Sequence, residues 1–228
     1  MKKKTIAIIP ARSGSKSIKD KNLLVLGGKN LIQLSIEACK KSKKIDQIIF
    51  TSDSQKYINL AKNYGADILI KRPLSISKDT SADIDFIKNA INQISYIEFD
   101  FIAHIRPTTP IRDYKILDKA IKEFSKLKFD SLRSIHEMSE TAYKCYEIKQ
   151  KTLVTLKNLN ITLDDSNHPR QKFPKTYVAN GLIDIYKKNF ILKNNMLFGK
   201  KVMPFITKKI YEIDCIEDYV FLKRYIVK

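Results

Sequence analysis

The stretch Ile6-Ala7-Ile8-Ile9-Pro10-Ala11-Arg12-Ser13-Gly14-Ser15-Lys16 decides how this chain is read. Ile6 to Ile9 form an unbroken apolar run, the pattern of a strand covered on both faces, and Pro10 closes it. A loop of small residues follows, carrying Arg12, Lys16, Lys19 and Lys21. Small side chains let backbone N–H groups approach an anion, and the cations neutralise it. Open α/β sheets place nucleotides at such a loop, at the carboxyl end of the first parallel strand. Gly14 is its only glycine, so it is neither a dinucleotide fingerprint nor a Walker A loop. Arg12 can fork across two phosphate oxygens, Lys16 and Lys21 act as point charges, and Asn22 can reach a base or ribose edge. The competing reading is a solvated charged loop, which the buried strand feeding it argues against.

Working outward, strands and helices alternate. Residues 5–10, 47–52, 66–70 and 99–105 read as strands, and 30–41, 55–64, 79–94 and 113–127 as helices. Gly65 is a helix stop, and Ser77 or Asp79 is the candidate N-cap of the third helix. This alternation predicts an α/β fold with a mostly parallel sheet and right-handed crossovers. After Asp130 the pattern shifts to short strands at 131–135, 143–148 and 152–156. Residues 157–175 are polar and proline-bearing, long enough for a functional loop or a partner-contacting arm. A strand broken at Asn180-Gly181 (177–186), a late strand (201–206) and a closing helix (216–225) complete a single domain over 1–228.

An apolar fraction of 43% is ordinary for a soluble protein, and no apolar run is long enough to span a bilayer. The run after Lys2–Lys4 is only a strand's length, so it does not read as a signal peptide, and the expected location is cytoplasmic. Cys39, Cys145 and Cys215 are widely spaced, which argues for reduced thiols rather than zinc or disulfides. His104, His136 and His168 lack metal-ligand spacing. The net charge of +19 is either a solvated lysine-rich surface or a field that draws anionic small molecules. No helix concentrates a basic stripe and no aromatic–basic RNA motif is present, so nucleic acid and membrane are not expected partners.

Three further constellations carry chemistry. Arg106-Pro107-Thr108-Thr109-Pro110-Ile111-Arg112 is a stiff polar loop closing a strand, suited to orienting a ligand, or a rigid turn with incidental arginines. Arg170-Gln171 with Pro174, ahead of Asn180-Gly181, is either a carboxylate-binding arm or, as spacing alone favours, a solvated basic loop. Glu212-Ile213-Asp214 alternates so that both carboxylates share one side. Facing phosphates they suit Mg²⁺, a hard cation, and a salt-bridged strand end is the equal alternative.

Taken in order, these segments resemble the CMP-sialate synthetase (acylneuraminate cytidylyltransferase) family, over nearly the whole chain from Ile6 to about Tyr225. The carrying residues are the opening loop with Lys21-Asn22-Leu23, Ser52-Asp53, Arg72-Pro73, Asp79-Thr80-Ser81, Pro107 to Arg112, Arg170-Gln171, Asn180-Gly181 and Glu212-Ile213-Asp214. The resemblance implies a Rossmann-like nucleotidyltransferase domain and a small inserted dimerisation segment, here about 131–175. It implies CTP and an acidic sugar as substrates, Mg²⁺ as cofactor and a homodimer. Ala11, Arg12, Ser13, Gly14, Lys16, Lys21, Asn22, Arg72, Asp79, Thr80 and Ser81 would serve the nucleotide, with Arg12, Lys16, Lys21 and Asp214 acting in the chemistry. Arg106, Thr108, Thr109, Lys144, Arg170, Gln171 and Asn180 would serve the sugar, with Lys144 and Arg170 reaching the neighbouring subunit's site. Glu212 and Asp214 would hold the metal. The chain departs from the family in having Arg106 where Gln is frequent, Glu212 where Asp is common, and Ser17 where the loop usually has glycine. The implied reaction is attack by the anomeric hydroxyl of a nine-carbon α-keto acid sugar on the α-phosphorus of CTP, releasing pyrophosphate. The alternatives are a CMP-Kdo-type or sugar-1-phosphate nucleotidyltransferase and, from another class, a non-catalytic basic binding module.

Overall fold

The computed structural model describes residues 3–157 and 159–226. Its elements are β1 (Thr5–Pro10), β2 (Val25–Leu26), β3 (Lys29–Asn30), α1 (Leu31–Lys41), β4 (Gln47–Ser52), α2 (Gln55–Tyr64), β5 (Ile68–Lys71), α3 (Asp83–Gln93), β6 (Phe101–His104), α4 (Tyr114–Lys126), β7 (Ser131–Glu137), β8 (Tyr146–Lys149), β9 (Thr152–Thr155), α5 (Leu163–Ser166), β10 (Tyr177–Lys187), α6 (Lys188–Asn194), β11 (Val202–Ile206) and α7 (Ile216–Ile226). A seven-stranded sheet runs β11-β7-β10-β6-β1-β4-β5. It is parallel except where β10 runs against β6 and β7.

The sheet has a core on each face, which is why β1 is apolar without alternation from Ile6 to Ile9. Ala7 and Ile9 pack with Ile36, Tyr57, Ile121 and Phe124 of α1, α2 and α4. Ile6 and Ile8 pack with Phe86, Ile87 and Ile91 of α3 and Ile191 of α6. Each isoleucine or phenylalanine among them, fully buried, contributes about 1.5–3 kcal/mol. Helix α2 stops where expected, because Gly65 takes φ 87°.

Two expectations are corrected here. Helix α3 begins at Asp83, four residues later than the pattern predicted, and its N-cap is Ala82 rather than Ser77 or Asp79. The Asp85 carboxylate accepts the Ala82 N–H, while the Asp79 side chain is drawn away to Arg12 and Lys16. The segment 131–175 is not inserted as a unit. Its first strand, β7, sits inside the main sheet between β10 and β11, and the β8–β9 hairpin with α5 follows it as separate structure.

Candidate active site

The carboxyl ends of β1 and β6 and the segments leading into α3 enclose a cleft of about 300 Å³. One wall is the loop after β1, which three side chains staple in place. Asp53 accepts from the Ser13 N–H and hydroxyl, both at 2.9 Å. Asn22 donates to the Arg12 carbonyl at 3.0 Å, and Tyr57 donates to Asp20 at 2.8 Å. Asp20 takes φ 51°, whereas Ser17 has no positive φ, so the serine fits where glycine was expected. A Cβ at Gly14 would meet nothing within 4 Å, leaving the backbone open to a ligand.

Arg12, Lys21 and Asn22 line the cleft. The side chain of Asp79 reaches across the mouth to pair with Arg12, and with Lys16 at 3.1 Å. Hydrogen bonds from Lys16 and Arg12 hold its carboxyl below the usual range. One carboxylate thus rests on two of the three cations that a triphosphate would use. Ser81 also lines the cleft, while Thr80 is exposed beside it.

Arg72 lines the cleft and is 5% exposed, yet its Nε and Nη2 have no hydrogen-bond partner in the chain. Its guanidinium lies over the Phe86 ring, 5.4 Å from the centroid. Burial lowers its pKa, but the group remains a cation at neutral pH. Buried donors without partners are costly, so these two call for acceptors from outside the chain, water's or a ligand's.

The cleft floor is a charged cluster that the sequence did not reveal. Arg106 donates to Asp184 at 2.8 Å and to Asp83 at 2.9 Å. Burial opposes its charge, but Asp184 and Asp83 outweigh that, and its pKa stands above the usual arginine value. His104 is fully buried, pairs in register with Asp184 on β10, and lies 3.4 Å from the Tyr186 hydroxyl. Burial, reinforced by Arg106, Arg112 and Arg133, holds this imidazole neutral, well below its ordinary pKa. The only advance signal was position, since His104 ends a buried strand and directly precedes the Arg106 loop.

Glu212 and Asp214 stand at the cleft's edge, each one contact from a lining residue. Thr108 donates to Glu212 at 2.8 Å. Lys21 donates to the carbonyls of Ile213 and Asp214, with its Nζ 3.8 Å from the Asp214 carboxylate. Ile213 is buried between them and donates its N–H to the Thr108 carbonyl, fixing the strip against the loop. Two hard carboxylates beside a cationic loop are of a kind that fits Mg²⁺, which takes one or two carboxylates and completes its shell with phosphate oxygens and water. Among the described residues, no group of three or more acidic, histidine or cysteine side chains comes together that could hold a metal ion.

Other expected residues lie elsewhere. Asn180 is 3% exposed and spends its side chain inside, donating to Thr207 at 2.8 Å and accepting the Leu182 N–H. It shapes the sharp bend at Gly181, where φ is +63° and a Cβ would meet the Thr109 hydroxyl at 2.6 Å. Thr109 is itself buried, and Ala11 is part of the core. Lys144, Arg170 and Gln171 do not line the cleft. Arg170 is instead paired with Glu137 at 2.8 Å, beside a second depression that Gln171 also lines.

A family model described as "Cytidylyltransferase" matches residues 6–225. An N-acylneuraminate cytidylyltransferase of Escherichia coli is 32% identical over 215 residues, 94% of this chain and 49% of that protein. The chain therefore spans about half the length of that relative. Post-translational flagellin modification protein B of Campylobacter coli is 29% identical over 205 residues, 88% of this chain and 85% of that protein. Among solved structures, CMP:2-keto-3-deoxy-manno-octonic acid synthetase complexed with CTP superposes with a TM-score of 0.73 over 98% of each chain, at 13% identity. At that identity the likeness speaks for the fold alone.

Proposed function

The chain belongs to the cytidylyltransferase family, and from that premise we propose that it transfers CMP from CTP to the anomeric hydroxyl of a nonulosonic acid, a nine-carbon α-keto acid sugar, releasing pyrophosphate. The observation that carries the nucleotide half is Arg72, a buried guanidinium with two unpartnered N–H donors in the same cleft as the phosphate loop. A pair of donors matches the O2 and N3 acceptors of cytosine. Uracil carries a hydrogen at N3, so the same pair disfavours UTP. Arg12, Lys16 and Lys21 neutralise the triphosphate and stabilise charge on the departing pyrophosphate. For Arg12 and Lys16 to do so, Asp79 gives way to phosphate.

The protein's share of the work is positioning and charge neutralisation rather than a covalent enzyme intermediate. Thr108 orients Glu212, and Lys21 ties the 212–214 strip to the phosphate loop. Glu212 and Asp214 would hold Mg²⁺, which when bound neutralises phosphate charge and polarises the reacting phosphoryl group. No side chain is needed as a dedicated general base in this scheme.

The protein works as a cytoplasmic homodimer in this reading. The region after β7 presents exposed apolar groups, Ile148 at 78% and Leu153, Tyr177 and Val178 at 40–46%, which favour burial against a second copy. Lys144, Arg170 and Gln171 then serve the sugar carboxylate across the interface, with Arg170 exchanging Glu137 for substrate. The test is pyrophosphate release with CTP or UTP against sialic, legionaminic, pseudaminic and 3-deoxy-manno-octulosonic acids and a hexose 1-phosphate. Turnover with CTP and a nine-carbon acid is expected. Turnover of only the eight-carbon acid or a sugar 1-phosphate, or of none, overturns the proposal.

A further inference from the structure

The floor of the cleft carries a carboxylate that the proposed chemistry leaves unused. Asp83 occupies the first turn of α3 and lines the cleft with a side chain 44% exposed. Its Oδ2 takes the Arg106 Nη2 at 2.9 Å and lies 3.9 Å from His104 Nδ1. The other end of the Arg106 fork is spent on Asp184, which is 1% exposed and also has Arg133 at 3.9 Å. Arg106 and Arg133 balance Asp83 and Asp184, with His104 neutral. An anionic sugar can therefore approach Asp83 without meeting a net negative floor.

Arg106 is thus a poor clamp for a substrate carboxylate, because both fork ends already hold carboxylates. It reads instead as a strut from β10 to α3 that fixes the angle of Asp83. Asp83 is bonded to Arg106, and two residues further along the same loop Thr108 holds Glu212; if Glu212 and Asp214 hold the metal, the acceptor hydroxyl has to come to this loop. Resting on the proposed activation of a nonulosonic acid, we infer that Asp83 is a specificity-determining residue of the sugar subsite. It accepts a hydrogen bond from an N–H or O–H donor on the sugar, a cationic nitrogen included, and Arg106 positions it. A carboxylate fixed this way rejects a sugar that offers only an acceptor there, since the charge would be left unpaired.

The experiment measures steady-state kinetics of the full chain, with CTP and a set of nonulosonic acids in which each hydroxyl other than the anomeric one is replaced in turn by O-methyl or hydrogen, and each amide N–H by N-methyl. Asp83→Asn, Arg106→Gln and the double variant are compared, with thermal melts confirming that each is folded at the assay temperature. Expected for Asp83→Asn is a sugar KM raised about 10–100-fold, the scale of one charge-assisted hydrogen bond, with kcat and the KM for CTP little changed. The penalty should vanish for the one analogue that lacks the donor. Arg106→Gln should reproduce the sugar defect yet add nothing in the Asp83→Asn background. A further tenfold loss in the double variant would show Arg106 holding substrate itself and overturn the inference. So would a defect confined to CTP, which would make Asp83 a reader of the base. If the wild type turns over no nonulosonic acid the functional proposal fails. If it does and Asp83→Asn behaves like wild type, this inference fails alone.

Discussion

Arg106→Gln should destabilise the protein through a partner that lies 78 residues away in sequence. Asp184 is 1% exposed, and its closest cation is Arg106 Nη1 at 2.8 Å. Shortening the arginine leaves that carboxylate buried without its main counter-charge. Removing one member of a buried pair costs about 3–5 kcal/mol, far above the worth of an exposed pair. Two neighbours soften the loss here, the Tyr186 hydroxyl at 3.4 Å and Arg133 Nε at 3.9 Å. The low end, about 3 kcal/mol, is therefore expected. For a chain of this size each kcal/mol moves Tm by about 2–4 °C, so calorimetry should show a fall of roughly 6–12 °C. Asp184→Asn should cost less, because Arg106 keeps Asp83 and has a side chain 21% exposed to water. The double variant Arg106→Gln with Asp184→Asn removes both charges and should recover most of the stability. A single variant that melts within 2 °C of wild type, by the same 2–4 °C scale, would refute the view that Arg106 is a strut. So would a double variant whose loss equals the sum of the two single losses.

Asp214→Ala should lower kcat about 10²–10³-fold in Mg²⁺ while leaving the melting curve unchanged, because its side chain is 77% exposed; retained turnover would remove it from the chemistry. Cys215, which is exposed, should react with a thiol reagent in the folded protein. Cys39, 1% exposed and with its pKa pushed up to about 12 by burial, should react only on unfolding, as mass spectrometry of partially labelled protein can read. The His104 pKa is lowered in the fold, so the unfolded chain binds the extra proton. Stability is then full above the ordinary histidine pKa and falls as pH drops below it, by at most about 1.4 kcal/mol per pH unit. Denaturant melts from pH 7.5 to 5.5 should show this slope, and His104→Gln should reduce it to the part left by His136, whose pKa burial and Lys209 also lower. An unchanged slope in that variant would place the proton elsewhere.

What could be read from the sequence divides along the range of the forces involved. β1, β4 and α2 begin and end where the pattern places them, because an apolar run, a proline or a glycine acts on its own neighbourhood. Where a side chain answers to something distant, local rules fail. Asp79 is a good N-cap by type, but Arg12 and Lys16 hold it, so α3 starts without it. Asn180 is a good surface ligand by type, but the bend at Gly181 turns it onto Thr207. β7 looks like part of an insertion by position, but it completes the central sheet between β10 and β11. The phosphate loop was legible because it needs only a strand, small residues and cations in sequence. The cleft floor was not, because Asp83, His104, Arg106 and Asp184 come from three separate stretches that meet only once β10 has paired against β6. That difference has a consequence for function. In the proposed reaction the loop, readable from local sequence, would serve the part that any nucleoside triphosphate shares. If the floor, assembled by tertiary pairing, reads the acceptor as proposed, substitutions there would change which sugar is used while the nucleotide chemistry continues unaltered.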